Sequence, residues 1–118
     1  MVVGPEREIV IPPEAWDEYG FQAGDEAIFT PGSRTSGGFG IGTSALMAEA
    51  RRKMDGADLR ELGRGRFGDG QVGVPPEVGV EPGDRLLTVR GSRYGLGFIA
   101  QGPIYEEALK HPELEVFA

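Results

Sequence analysis

The five basic residues best placed to bind phosphate lie together in the middle of the chain. They are Arg51, Arg52, Lys53, Arg64 and Arg66. Because Lys and Arg side chains attract nucleic-acid phosphates by charge, these five are the expected contacts if the protein binds DNA. The interpretation that we prefer at this point is a solvated helix face followed by a polar loop, since isolated basic clusters are common on helices.

The distribution of charge restricts such a contact to one segment. The chain carries a net charge of −7. Residues 1–43 contain seven acids and two bases, and residues 67–118 contain eight acids and four bases. Residues 44–66 reverse the balance, with four acids and six bases. An acidic surface is poorly suited to coating phosphates, so a DNA contact is expected mainly in the middle segment.

Two arginines and one tryptophan are further candidates for binding. Arg34 and Arg93 occupy equivalent places in a repeated Gly-Ser-Arg motif, where a symmetric pair could bind an anion or a protein partner. Salt bridges to the abundant carboxylates explain these arginines as well. Trp16 and Tyr19 are three residues apart and share one face of a helix. We expect this face to pack against the helix at 43–54, and the alternative is a protein-docking patch.

Catalytic, metal and cofactor sites find little support in the sequence. Gly40, Gly42 and Ala45 match the dinucleotide fingerprint G-x-G-x-x-A, but no parallel βαβ unit follows them, so turn chemistry is expected. His111 is the only histidine and the chain has no cysteine, which argues against a transition-metal site. No catalytic triad can be assembled around it. The sequence therefore predicts no enzyme, no cofactor and no metal.

An internal duplication positions these residues. Each copy has a short β-branched run ending in Pro-Pro-Glu, then Gly-x-x-x-Gly-Asp, then apolar strands and Gly-Ser-Arg. These three motifs begin at Pro12, Gly20 and Gly32 in the first copy and at Pro75, Gly79 and Gly91 in the second. The copies are 63 residues apart at the prolines and 59 apart at the glycines. The four residues 16–19 therefore belong to the first copy alone, and the second should lack one helical turn.

Each copy is predicted to form a strand, a short helix and two further strands. Proline ends the first strand because it cannot donate to the ladder, and it suits the first helical turn. Gly20 and Gly79 are natural helix stops. We assign residues 1–43 to the first repeat and 67–102 to the second.

The remaining residues are predicted to be helical additions to this single domain. Residues 44–66 form a helical bridge whose helix, at 43–54, is capped by Thr43 or Ser44. Residues 103–118 form a C-terminal helix and tail. No apolar stretch approaches the roughly 18 residues that a membrane span needs, so no membrane contact and a cytoplasmic location are expected.

The repeated unit resembles the AbrB-like (SpoVT-AbrB) swapped-hairpin family of small DNA-binding domains, which includes MazE-type antitoxins. The resemblance is carried by Gly70-Gln71-Val72-Gly73-Val74-Pro75, by Gly79-Val80-Glu81-Pro82-Gly83-Asp84 and by the matching motifs of the first copy. It covers residues 2–41 and 67–100. In the family, two identical chains interlock their hairpins into one barrel.

This resemblance implies a fold that is mainly β with short helices. The specific expectation is a pseudo-two-fold swapped-hairpin (AbrB-like) β-barrel, a covalent pseudo-dimer formed by internal duplication. The implied function is a DNA-binding transcriptional regulator or an antitoxin-like protein, with DNA and a toxin as expected partners.

The family's DNA-contact positions are occupied differently in this chain. Its basic positions fall on Glu8, Pro13 and Trp16 in the first copy, and on Gln71 and Pro76 in the second. The basic residues that remain near these positions are Arg7 and Arg66. The alternative function is therefore an acidic protein-interaction or assembly module that has kept the scaffold and lost DNA binding.

Overall fold

A computed structural model of the chain describes residues 2–31, 38–53, 60–92 and 95–100. The predicted C-terminal helix and tail at 103–118 lie outside the described residues. The strands are β1 (Glu8–Val10), β2 (Glu26–Pro31), β3 (Phe39–Gly42), β4 (Gly63–Arg66), β5 (Gln71–Gly73), β6 (Leu86–Ser92) and β7 (Gly95–Ala100). The helices are α1 (Pro13–Tyr19) and α2 (Ser44–Lys53), with a 3₁₀ turn at Pro76–Val78.

The Pro-Pro-Glu motif starts a helical segment in both copies, as the sequence predicts. Helix α1 begins at Pro13 and ends at Gly20, whose φ of 70° lies in the left-handed region that favours glycine. In the second copy the segment is a single 3₁₀ turn that ends at Gly79, with a φ of 89°. The absence of residues equivalent to 16–19 thus shortens a helix to one turn, which confirms the prediction.

The strands form two antiparallel sheets. One sheet has two strands in the order β1-β5, and the other has five in the order β4-β2-β3-β7-β6. The mainly β class with short helices is confirmed. Among the described strands neither sheet closes on itself, since β4 and β6 are the two edges of the larger one.

Strands of one copy pair with the equivalent strands of the other. In the pairing of β1 with β5, Ile9 is the Cα partner of Val72, and the repeat aligns these two residues with each other. In the pairing of β3 with β7, Phe39 is the partner of Phe98, which is again its repeat equivalent. The rings of Phe39 and Phe98 stack with centroids 5.0 Å apart. Both sheets therefore join the two copies.

The turns at Gly-Asp make the same backbone hydrogen bonds in both halves. The N–H of Phe67 donates to the carbonyl of Asp25 at 2.9 Å, and the N–H of Val3 donates to the carbonyl of Asp84 at 2.8 Å. The glycine that precedes each aspartate completes the pair of bonds. The N–H of Gly24 donates to the carbonyl of Phe67 and the N–H of Gly83 donates to the carbonyl of Val3, both at 2.8 Å. Phe67 and Val3 are thus structural counterparts.

Strand β4 corrects the sequence-based assignment of residues 44–66 to a helical bridge with a polar loop. Helix α2 accounts for Ser44–Lys53, but Gly63–Arg66 pair with β2, so that Arg66 lies opposite Glu26. Backbone N–H and C=O groups along the edge of β2 require partners, and β4 provides them. Gly65 also lets β4 approach the backbone of β5 at Gly73 closely, and the assignment of these residues to a polar loop does not predict such a contact.

The main hydrophobic core lies between the two sheets and α1 and contains residues from both copies, and a smaller cluster of Leu87, Val89 and Ile99 lies on β6 and β7. The largest fully buried side chains of the main core are Phe29, Phe67, Phe98, Ile9, Ile11, Ile41, Leu86, Leu96, Val3 and Val72. Because each copy contributes about half of these side chains, neither copy could bury its apolar face alone.

Helix α2 depends on a side-chain cap at its N-terminus. The hydroxyl Oγ1 of Thr43 accepts a hydrogen bond from the N–H of Leu46 at 3.2 Å. We expect Thr43→Ala to lower the free energy of unfolding by about 1 kcal/mol, because a first-turn N–H loses its partner. Urea denaturation measures this loss. Thr43→Ser keeps the hydroxyl and should cost much less, and equal losses in both variants would contradict the capping role.

Candidate functional site

The structure places the five predicted phosphate-binding cations on two elements, and together we call them the basic strip. Arg51, Arg52 and Lys53 form the last turn of α2, whereas Arg64 and Arg66 lie on β4. Along β4 the two glycines are half-buried and the two arginines are exposed. Alternate residues of a strand point to the same face, so both arginines project outward from the edge of the larger sheet.

Glu61 is the first carboxylate in the basic strip. The Nε of Arg64 donates to its carboxylate at 2.9 Å. This hydrogen bond holds the pKa of Glu61 below its usual value, and the positive charge of Arg51 is a smaller influence in the same direction. Helix α2 and strand β4 both contact β2, which brings the two parts of the strip to the same part of the fold.

A second carboxylate anchors the β4 end of the basic strip. Arg64 forms an ion pair with Glu26 of β2 in addition to its pair with Glu61. The hydrogen bond to Glu61 and the charge of Glu26 raise the pKa of Arg64 above its ordinary value. Arg64 therefore stays charged and lies between Glu26 of β2 and Glu61, which precedes β4.

Glu49 is the third carboxylate in the basic strip and lies on α2 itself. It forms ion pairs with Arg52, and with Lys53 at 3.2 Å. These two hydrogen bonds, Arg52 first, lower the pKa of Glu49. We call Glu26, Glu49 and Glu61 the strip glutamates. Exposed ion pairs of this kind contribute little to stability, so a phosphate can replace a carboxylate at little cost.

The sequence analysis missed the strip glutamates, although two of them carry a recognisable signal. Glu49 lies three and four residues before Arg52 and Lys53, and Glu61 lies three residues before Arg64, which are the spacings of helical ion pairs. The pairing of Glu26 with Arg64 depends on strand β4 and has no local sequence signal.

Arg66 has one contact with the backbone of the first copy. Its Nη1 donates to the carbonyl oxygen of Gly24 at 2.6 Å, and this bond ties β4 to the Gly24-Asp25 turn. A guanidinium has five N–H donors. Most of the donors of Arg66 therefore remain for a ligand.

Arg7, the remaining predicted DNA contact, joins the two copies instead of extending the basic strip. Its Nε donates to the carbonyl of Val80 at 3.3 Å, and its guanidinium forms an ion pair with Glu81 at 3.4 Å. Arg7 has a φ of 59°, and its repeat equivalent, Gly70, has a φ of 73°. A left-handed arginine costs roughly 1–2 kcal/mol, which its contacts with the second copy offset.

Trp16 packs into the core at the junction of the copies, and Arg34 and Arg93 lie outside the described residues. The half-buried ring of Trp16 meets Phe21 and Phe67 edge-on, with centroids 6.0 and 5.5 Å away. Trp16 thus packs against the core, but its ring partners are Phe21 and Phe67, whereas the prediction was packing against the helix at 43–54.

The glycines of the apparent dinucleotide fingerprint have a packing role. Gly40 and Gly42 lie in β3 directly before α2, but every strand pairing of this sheet is antiparallel. A β carbon added to Gly40 would lie 3.1 Å from Oγ1 of Thr30, so the position is close-packed. The parallel βαβ context that dinucleotide binding requires is not present in this sheet.

The described residues provide neither a candidate metal site nor a candidate membrane-spanning helix. They contain no group of three or more His, Cys, Asp or Glu side chains arranged to hold a metal ion. They also contain no helix with both the length and the apolar character needed to cross a bilayer.

Comparison of the chain with protein-family models, with curated proteins and with solved structures gives no match. The basic strip is therefore interpreted from its own chemistry.

Proposed function

We propose that this protein is an AbrB-like, pseudo-dimeric DNA-binding regulator that contacts DNA phosphates through the basic strip. The observation that carries the proposal is the location of all five cations on α2 and β4, two elements that both contact β2. Because the rest of the chain has a surplus of acids, these two elements are where phosphate is attracted most strongly.

The strand pairing supports the pseudo-dimeric part of the proposal. When equivalent residues of two copies are Cα partners in an antiparallel pair, a two-fold axis passes between them. Such pairs occur in both sheets, at Ile9 with Val72 and at Phe39 with Phe98. One axis through both pairs would relate the two halves, as expected for the swapped-hairpin barrel of an AbrB-like pair of chains.

The distribution of charge supports the choice of ligand. The strip glutamates neutralise part of the strip, yet its cations still outnumber them by five to three. The two repeats carry a surplus of acids. DNA approaching the protein would be repelled by most of the surface and attracted to the strip, which orients the encounter.

Fluorescence anisotropy with a labelled random-sequence duplex tests the proposal directly. The matched proteins are the wild type, the triple variant Arg51→Ala, Arg52→Ala, Lys53→Ala, and the control Arg85→Ala, which removes an exposed arginine outside the strip. With five phosphate contacts, the logarithm of affinity should fall with the logarithm of salt with a slope of about −4.5. The triple variant should reduce this slope to about −2, and the control should leave it near the wild-type value. Undetectable binding at low salt, or an unchanged slope in the triple variant, would contradict the proposal.

Removal of a strip glutamate should strengthen binding to DNA. In Glu61→Gln the partner of Arg64 loses its negative charge. A phosphate then no longer competes with a carboxylate for Arg64, and it is no longer repelled by that carboxylate. Because the removed like charge lies beside the place proposed for the phosphate, the affinity should rise about fivefold. Anisotropy at one fixed salt concentration measures the change. Glu14→Gln on the exposed side of α1 is the control, and an equal rise there would indicate a general charge effect.

The second candidate function is an acidic protein-interaction or assembly module on the same scaffold. The observation that favours it is the interleaving of strip glutamates with strip cations, since alternating charges are typical of the polar rim of protein interfaces. A folded wild-type protein that binds no duplex at low salt would select this function. Sedimentation velocity over a range of protein concentrations would then test self-assembly.

A further inference from the structure

We infer that the protein binds DNA from one side only, as one molecule on one non-palindromic duplex segment. This inference rests on the proposed function. Two-fold symmetric DNA-binding proteins read two half-sites with two copies of one surface. Here the pairing of equivalent strands follows a two-fold relation, but the positions of the cations do not follow it. The symmetry therefore stabilises the fold and takes no part in DNA recognition.

The edge equivalent to β4 lacks the arginine that the basic strip uses. Val2 is the counterpart of Arg66. Val2 immediately precedes Val3, whose N–H donates to the carbonyl of Asp84, and Arg66 immediately precedes Phe67, whose N–H donates to the carbonyl of Asp25. Val2 forms an antiparallel bridge with Arg85, just as Arg66 pairs with Glu26. The side chain of Val2 is apolar and 57% exposed. At this position the second edge therefore presents methyl groups where the first presents a guanidinium, and the charges across the bridge are also exchanged, with Arg85 in the place of Glu26.

The segment equivalent to α2 has the opposite charge in the sequence. Helix α2 follows the return strand of the first hairpin, and residues 101–118 follow the return strand of the second. They contain four glutamates and one lysine. A second cluster comparable to Arg51, Arg52 and Lys53 is therefore absent from the sequence at that place, whatever conformation it adopts.

The face on the pseudo-two-fold axis also lacks cations. The axis crosses the β1-β5 sheet at Ile9 and Val72, whose side chains point into the core. On the outer side of this sheet lie Val10, which is 61% exposed, and the exposed residues Gln71 and Gly73. A symmetric DNA-binding protein would need a matching cluster of cations here or on both edges. Among the described residues the second edge offers one exposed arginine, Arg85, where the first offers Arg64 and Arg66.

The size of the molecule fits a single site. Its longest dimension is 33 Å, about the length of one turn of B-DNA. Half-sites of a palindrome are centred about 34–36 Å apart, so a strip on one side of this molecule reaches one of them.

Stoichiometry tests the inference. A labelled duplex of about 12 base pairs, slightly more than one helical turn, is titrated with wild-type protein and examined by sedimentation velocity. We expect complexes of one protein with one duplex. A quadruple variant replaces Arg51, Arg52, Lys53 and Arg64 with alanine. At the same salt concentration its affinity for the duplex should be at least a hundredfold lower than that of the wild type, whereas Arg85→Ala should have the wild-type affinity. Selection from random duplexes should not enrich inverted repeats, because a cluster of phosphate contacts on one side has no second copy to match a second half-site.

The other outcomes separate this inference from the proposed function. Two duplexes per protein, a palindromic consensus, or binding by the quadruple variant within tenfold of the wild type would overturn one-sided recognition and leave DNA binding intact. No binding of any duplex by the wild-type protein at low salt would overturn both. Because stoichiometry and selection use the wild type, a poorly folded variant would not obscure the result.

Discussion

Replacing Phe67 with alanine is expected to lower the free energy of unfolding by about 3–5 kcal/mol, the typical loss for a buried phenylalanine. Phe67 is 2% exposed and stacks on Phe21 with centroids 4.5 Å apart. Its backbone also bridges β4 to Val72 of β5 and bonds the turn at Asp25. The substitution would leave a cavity where both sheets and both copies meet. Since small domains have about 5–15 kcal/mol of stability, the variant should be partly unfolded in mild urea.

Urea denaturation of Phe67→Ala beside two controls distinguishes a cavity from a general effect. Phe67→Leu keeps most of the volume and should lose markedly less stability. Val10→Ala shortens an exposed side chain, and its effect should stay within about 0.5 kcal/mol. If Phe67→Ala lost less than about 1 kcal/mol, the junction of the two sheets would not be a well-packed part of the core.

Replacing Gly65 with alanine should also destabilise the protein, by about 2–3 kcal/mol. A β carbon at this position would lie 2.4 Å from the carbonyl oxygen of Gly73 and 3.2 Å from the ring of Phe29. Backbone cannot rotate out of the way as a side chain can, so β4 would have to move away from β5, and overpacking of this kind typically costs 1–3 kcal/mol. The same shift would displace Arg64 and Arg66, so DNA affinity should fall as well.

Gly73 is the matched control for Gly65, because it lies on the other side of the same contact. A β carbon added to Gly73 would meet no atom within 4 Å. Gly73→Ala should therefore leave stability unchanged or raise it by about 0.5 kcal/mol, through a smaller entropy loss on folding. Thermal unfolding of the two variants compares them directly, and equal effects would mean that the sheets do not approach each other at Gly65.

Much of the fold could be predicted from sequence because local rules determine it. Proline ended the first strand of each copy, and Gly20 ended α1 in the left-handed conformation that it adopts readily. Strand β4 was missed because its residues, two glycines and two arginines, have low strand propensity. It forms because the edge of β2 needs hydrogen-bond partners and because Gly65 permits the close approach to β5, and both reasons are tertiary.

The candidate site was predictable in its composition but not in its connections. The cations of the basic strip were identified from charge and spacing alone. Their arrangement around Glu26 required knowledge of which strand lies beside β2. Arg7 shows the same limit, because its position among the family's contact residues suggested DNA, whereas its guanidinium lies against Val80 and Glu81 of the other copy.

The pairing of β1 with β5 and of β3 with β7 within one polypeptide changes how this protein responds to dilution. A dimer of separate chains dissociates as its concentration falls, by mass action. Here the two halves are tethered, so each meets the other at an effective concentration set by the connecting segment and not by the number of molecules present. A cell that makes only a few copies of this protein therefore keeps every one of them assembled.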